Sequence, residues 1–172
     1  MTAFTSAAAV LLGLVFLTSS SSKLRSRESF RRFRTSVPAF GIPAGYARRV
    51  ALLVTGAEVA IVVLLALAGL IGSALPGIGA AALLLVPLTV GTVRAVLRDT
   101  GATCRCFGGT DRRVSRRHFV RNGLLLLIAI IGLLTALPGG SPSTAGWALA
   151  AFAGLIGGVL LIFLDEIIEL FS

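Results

Sequence analysis

The sequence predicts an all-α integral membrane protein, a polytopic bundle of about five transmembrane helices. Of its 172 residues 56% are hydrophobic and only 13% are charged, whereas soluble domains average about 45–50% apolar and about 25% charged residues. The apolar residues also form continuous runs long enough for a bilayer core of about 30 Å. Continuous runs favour helices over a barrel, because hydrocarbon offers no hydrogen-bond partners to an open backbone.

Five apolar runs are the candidate transmembrane helices: residues 2–19, 50–71, 78–96, 119–137 and 146–164. Charge-free turns at residues 72–77 and 138–143 separate the second run from the third and the fourth from the fifth. We expect residues 1–137 to form a four-helix membrane domain. Residues 138–172 would add a C-terminal helix and a short acidic tail.

The placement of basic residues predicts the topology. All 16 Lys and Arg lie in two windows, residues 23–49 and 94–121. Cytoplasmic loops are enriched in Lys and Arg, so we expect the loops 23–49 and 97–118 to be cytoplasmic and the amino terminus to lie outside. The net charge of +9 is then explained by orientation in the bilayer, and we expect no nucleic-acid partner.

The first basic loop contains an apolar pattern at loosely helical spacing: Leu24, Phe30, Phe33 and Val37. Five arginines lie between them: Arg25, Arg27, Arg31, Arg32 and Arg34. Such a segment predicts a helix lying in the lipid headgroup layer with its rings toward the hydrocarbon. A solvated basic loop is the alternative.

Cys104 and Cys106, the two cysteines of the chain, are the candidate reactive pair on the loop between the third and fourth runs. A disulfide between thiols one residue apart closes a small strained ring, which favours exchange over a stable cross-link. Arg105 between them favours the reactive thiolate, and Gly108 gives the following turn backbone freedom. Two other interpretations stay open: a soft-metal site with His118 as a third ligand, or reduced thiols without a role.

Glu58 lies about nine residues into the second run. A carboxylate at membrane depth normally faces the bundle interior, where it is paired or protonated. We expect it to accept hydrogen bonds from Thr89 or Thr92, to pair with Lys23 at the end of the first run, or to handle protons.

Ala150, Gly154 and Gly158 form a stripe of small residues along the fifth run. Such a stripe predicts close helix packing, either within the protein or in a homo-oligomer. Pro87 in the third run predicts a kink or a freed backbone carbonyl.

A series of landmarks resembles one known family: Val15-Phe16-Leu17, Lys23-Leu24, Phe30, Phe33, Ile42-Pro43, Glu58, Cys104-Arg105-Cys106-Phe107-Gly108 and Arg121-Asn122. They are similar to the methylamine-utilisation protein family MauE, part of the DoxX-like group of redox-associated membrane proteins. The resemblance extends over about residues 4–137. It implies a bacterial-type membrane protein that passes reducing equivalents, or supports disulfide formation, for a partner.

The resemblance also implies roles for individual residues. Cys104 and Cys106 would be the redox pair, Phe107 and Gly108 its supporting turn, and Glu58 a buried polar partner. We therefore expect thiol–disulfide oxidoreductase chemistry with a thioredoxin-like protein or a membrane quinone. The alternatives are copper handling and a structural role in a membrane complex. A partner matured outside the cytoplasm requires outward-facing thiols, whereas the charge bias predicts a cytoplasmic loop. We follow the charge bias for the topology.

Overall fold

The structure, a computed structural model, describes residues 2–97, 116–136 and 144–164. In these ranges the chain forms helices and no strand: α1 (Ala3–Leu24), α2 (Arg27–Ser36), 3-10 turns at Val37–Phe40 and Ala44–Tyr46, α3 (Ala47–Ala66), α4 (Ala68–Ile71), α5 (Leu75–Leu97), α6 (Arg116–Ala136) and α7 (Thr144–Ile162). By length and composition α1, α3 and α5 can each cross a membrane, and α6 and α7 contain shorter apolar stretches. The predicted helical membrane bundle is confirmed.

Helix α1 is the centre of the bundle and contacts α2, α3, α5, α6 and α7. Of its most apolar window 56% is buried, against 22% for the windows of α3 and α5. Its Leu12 meets Ile61 of α3, Ile78 of α5 and Leu125 of α6 in one core. The outer faces of the surrounding helices carry exposed apolar side chains such as Leu83, which fits a lipid bilayer as solvent.

Helix α1 continues past residue 19, where the apolar run ends, because its Thr and Ser hydroxyls form hydrogen bonds with carbonyls of the same helix. Thr18 donates to the Leu14 carbonyl, and Ser22 donates to the Ser19 carbonyl. Hydroxyls that bond to the preceding turn are satisfied without water. The predicted end of the first span was therefore too early.

The neutral turn before α5 is shorter than expected. Gly72 adopts a positive φ of 73°, which glycine tolerates and which ends α4. Helix α5 then begins at Leu75, whose N–H is capped by the Ser73 hydroxyl at 3.2 Å. Pro76 is compatible with this start, because the first turn of a helix needs no N–H donor there.

Helix α2 lies against the bundle through its aromatic face. Phe33 and Val37 are buried with Ala47 and Ala51 near the start of α3, whereas Leu24 is exposed. The helical part of the prediction for this loop is confirmed. The apolar residues Phe33 and Val37, however, face protein and not the hydrocarbon.

The exposed side of α2 carries an ion-pair cluster around Glu28. Arg32 Nε lies 2.8 Å from its carboxylate and Arg31 Nη2 lies 2.6 Å from it. The hydrogen bond from Arg32, with the charges of Arg31 and Arg32, lowers the pKa of the Glu28 carboxyl. The cluster therefore stays intact above the ordinary carboxyl range and is lost only as the pH falls through the lowered pKa.

The small-residue stripe of α7 packs against α1. A Cβ added at Gly154 would collide with the Ala7 backbone carbonyl, and one at Gly158 would lie 2.9 Å from Leu14 Cδ2. Ala150 is also buried. The structure thus uses the stripe within the protein, as one of the two predicted alternatives.

Substituting Gly154 with Ala tests this contact. A backbone collision forces the helices apart, and overpacking of this kind costs about 1–3 kcal/mol. We expect a lower thermal unfolding midpoint in detergent, followed by circular dichroism. Gly56→Ala is the matched control, since a Cβ there meets no atom within 4 Å. Equal midpoints for both variants would contradict the close α1–α7 packing.

Candidate functional site

A buried ion pair between Lys23 and Glu58 joins α1 to α3. Lys23 Nζ lies 2.6 Å from Glu58 Oε1 and 2.7 Å from Oε2, so one ammonium contacts both carboxylate oxygens. The two side chains are only 1% and 3% exposed. Ser19 donates a further hydrogen bond to Oε1 at 2.9 Å, and Lys23 donates to the Ser19 hydroxyl at 2.7 Å. The charges are thus compensated inside the bundle.

The local helix geometry explains this arrangement. Ser19 and Lys23 are four residues apart in α1 and lie on the same helix face, which is the face turned toward α3. Phe33 of α2 covers the ammonium, with Lys23 Nζ 4.8 Å from the ring centroid, within the range of a cation–π interaction. Three helices therefore meet at a single pair of charges.

The structure decides between the expectations for Glu58. The predicted pair with Lys23 is confirmed, although the Lys23 side chain is buried rather than extended to the interface. The predicted hydrogen bonds from Thr89 or Thr92 are wrong, because these hydroxyls donate to the carbonyls of Leu85 and Leu88 in their own helix. A proton-handling role for Glu58 stays a prediction.

A cavity of about 340 Å³ adjoins the ion pair. It is bounded by α1, α3, α5 and α6, and on one side by α2 and the 3-10 turn that follows it. Its lining is mainly apolar, with three aromatic rings: Phe16, Phe33 and Phe40. The volume lies within the range of about 300–1,000 Å³ that small-molecule sites occupy.

Polar groups reach the cavity from two sides. Ser19 and Glu58 lie on its wall beside the ion pair, and Thr92, Arg94 and Asn122 line it from α5 and α6. Asn122 Nδ2 donates to Thr92 Oγ1 at 3.4 Å, across the two helices. The cavity therefore combines apolar walls with a few hydrogen-bonding groups, the usual composition of a site for a small ligand.

The predicted redox pair lies outside the described residues. This holds for Cys104 and Cys106 as well as for Arg105, Phe107 and Gly108. Along the chain they belong to the segment between the end of α5 at Leu97 and the start of α6 at Arg116. Thr92 and Arg94 near the end of α5, and Asn122 near the start of α6, therefore flank this segment in sequence.

The alternative metal site also involves residues outside those described. Its three residues are Cys104, Cys106 and His118, and none of these side chains is among those described. Within the described ranges, no group of three His, Cys, Asp or Glu side chains could hold a metal ion.

Comparison with known proteins identifies the family. Residues 1–135 match the family described as Methylamine utilisation protein MauE. The chain belongs to the MauE family. This match covers most of the 172 residues and leaves out α7. No curated protein and no solved structure matches the chain.

The structure shows where the sequence landmarks of the MauE resemblance lie in the fold. Residues from five of the sequence landmarks line the same cavity: Val15 with Phe16, Phe33, Ile42, Glu58 and Asn122. A sixth landmark, Lys23, pairs with Glu58. The landmarks that the structure describes are thus concentrated around the ion pair and the cavity.

Sequence reasoning missed Ser19 and the cavity. Ser19 had a usable signal, since it lies four residues before Lys23 and so shares its helix face. The cavity had none, because Phe40, Val54 and Leu84 look like ordinary apolar residues in the sequence. Only their arrangement in space leaves a void between them.

Replacing Lys23 with Met tests the energetic role of the ion pair. The change leaves Glu58 as an uncompensated buried acid, which typically costs about 3–5 kcal/mol. We expect a correspondingly lower free energy of unfolding in detergent micelles. Replacing both residues, Lys23→Met with Glu58→Leu, should restore much of the loss because no charge is then left buried.

Arg25→Met is the matched control for this cycle, because Arg25 is also a basic residue at the end of α1 but is exposed. We expect it to change stability by less than about 1 kcal/mol. Additive effects of the two single changes at Lys23 and Glu58 would contradict a direct interaction.

Proposed function

We propose that this MauE-family membrane protein supports thiol–disulfide exchange, with Cys104 and Cys106 as the exchanging pair. The observation that carries the proposal is the placement of the only two thiols of the chain, one residue apart, on the connection between α5 and α6. Both helices contribute polar side chains to the cavity. The family description names methylamine utilisation, and we propose exchange with a disulfide-containing partner as the contribution of this chain.

The exchange proceeds in two balanced steps. One thiolate of this chain attacks a sulfur of the partner's disulfide, so that the partner's S–S bond breaks and a mixed disulfide forms. The second thiolate then attacks the sulfur of this chain in the mixed disulfide. A disulfide between Cys104 and Cys106 forms, and the partner leaves as a dithiol with two more electrons. The reverse direction oxidises the partner through the same intermediate.

The motif supplies the features that this chemistry needs. Arg105 lies between the thiols, and seven further Arg are found in the window 94–121. Positive charge favours the thiolate, which is the attacking species. A disulfide of such short spacing is strained and is therefore readily reduced again. The exchange partner is a thioredoxin-like protein, and a membrane quinone is the second class that can exchange electrons with the pair.

Replacing Cys106 with Ser should trap the partner. The remaining thiol of Cys104 forms the mixed disulfide, but the resolving thiol is missing, so we expect a covalent complex on non-reducing gels that dithiothreitol removes. Mass spectrometry of the complex identifies the partner. The chain has no other cysteine, so the attachment site is unambiguous.

The double variant, with Ser at both cysteine positions, is the control and should give no complex. The proposal fails if neither single variant traps a partner and the two thiols of the unaltered protein show no change between oxidised and reduced cells.

A separate labelling experiment determines which side of the membrane the two thiols face. The basic loops predict that Cys104 and Cys106 face the cytoplasm, so a membrane-impermeant maleimide should label them only after lysis. A Ser73→Cys change in the protein lacking both native cysteines is the control, since the turn before α5 is on the opposite side in this topology and should label in intact cells. Labelling of the native thiols in intact cells would reverse the predicted orientation.

A further inference from the structure

We infer that the cavity between α1, α3, α5 and α6 is a binding site for the head group of a lipid-soluble quinone. This inference rests on the proposed function, because it names the electron acceptor for the same thiol chemistry. The site itself consists only of described residues.

The position and the walls of the cavity restrict its occupant to a lipophilic molecule. It lies among helices whose outer faces are apolar, and its own lining includes Val54 of α3 and Leu84 of α5. Val90, another lining residue, is 44% exposed. Partly exposed apolar side chains at the cavity suit a ligand that arrives from the bilayer.

The aromatic residues favour a flat ring. Phe16 from α1, Phe33 from α2 and Phe40 from the following turn contribute to the lining. Aromatic pairs in offset-stacked or edge-to-face geometry are stabilised beyond the effect of the area they bury. An acyl chain gains only the burial, so the rings distinguish a quinone head group from a lipid tail.

The polar groups favour a neutral ligand with hydrogen-bond acceptors. Asn122 donates one amide N–H toward Thr92, and a side-chain amide has a second N–H that can donate to a ligand. Arg94 also contributes to the lining, although the residue as a whole is exposed. The carbonyl oxygens of a quinone can accept these bonds. Lys23 is already paired with Glu58, so its ammonium is not available to an anionic head group.

In the direction in which the pair oxidises its partner, Cys104 and Cys106 are left as thiols, and a quinone can reoxidise them. Conversion of the Cys104 and Cys106 thiols to a disulfide releases two electrons and two protons. A quinone takes up two electrons and two protons and becomes a quinol, so the atoms and electrons balance without a further reactant. Glu58 lies on the cavity wall in a hydrogen-bonded group with Lys23 and Ser19, which places exchangeable protons beside the ring.

Direct binding measurements test the site without its redox reaction. The full chain with both cysteines replaced by Ser is placed in lipid nanodiscs, and a short-chain ubiquinone analogue is titrated by calorimetry. We expect saturable binding of one quinone per protein. Because this variant has no thiols, its result is independent of whether the mixed disulfide of the proposed function forms.

Two pairs of variants connect the binding to the cavity. Gly91 lines the cavity, and a Cβ added there has only ordinary contacts with Phe40 at 3.7 and 4.0 Å. Gly91→Leu therefore extends a side chain from the cavity wall. We expect it to weaken quinone binding at least tenfold. Gly56→Leu adds the same side chain at an exposed position of α3 and should leave affinity unchanged.

Asn122→Leu keeps the side-chain volume similar and should weaken quinone binding severalfold. Asn122→Asp retains acceptors but loses the N–H donor, so we expect its affinity to stay as low as that of Asn122→Leu.

The outcomes separate the competing occupants. Absence of saturable binding, or equal affinity for Gly91→Leu and Gly56→Leu proteins with matched unfolding midpoints, would overturn the inference. Phospholipid that copurifies at one per chain and is not displaced by the quinone would assign the cavity to an acyl chain. If Gly91→Leu does not fold, the Asn122 variants decide the question alone.

Discussion

The ion pair of Lys23 and Glu58 is the constraint on which the rest of the bundle depends. A charge at membrane depth is tolerated only when a partner compensates it, so α1 and α3 must place these two side chains in contact. Their contact fixes the relative position of the two helices along the bundle, and the ring of Phe33 over the ammonium fixes α2 as well. Removal of one partner leaves a buried charge, whereas an apolar pair would hold the helices without specifying their alignment so strictly.

Most of the fold could be predicted from the sequence because apolar length and charge placement act over whole segments. The five runs correspond to α1, α3 with α4, α5, α6 and α7. Their ends could not be predicted equally well, because an end depends on single hydrogen bonds. The hydroxyl of Ser22 satisfies a carbonyl of its own helix and lets α1 continue, while Ser73 supplies the cap that lets α5 begin early. Hydropathy is insensitive to both.

The candidate site was predictable only where chemistry is visible in one residue type. An acid in an apolar run indicates a buried partner, and Lys23 was available at the end of a neighbouring run. Thr92 looked equally suitable, but a hydroxyl in a helix has a carbonyl acceptor four residues earlier. The cavity is a different case. It results from side chains that fail to fill the space between four helices, a property that no single segment carries.

For the proposed redox function, the ion pair and the cavity together restrict the kind of chemistry that the bundle can support. In a medium of low dielectric constant an added electron creates an uncompensated negative charge beside the Glu58 carboxylate, which costs several kcal/mol. Transfer of electrons with an equal number of protons leaves the net charge of the site unchanged and avoids this cost. Conversion between dithiols and disulfides is a balanced change of this kind. The same constraint that orders the helices is thus compatible with the proposed exchange between thiols and a quinone, in which electrons and protons move in equal number.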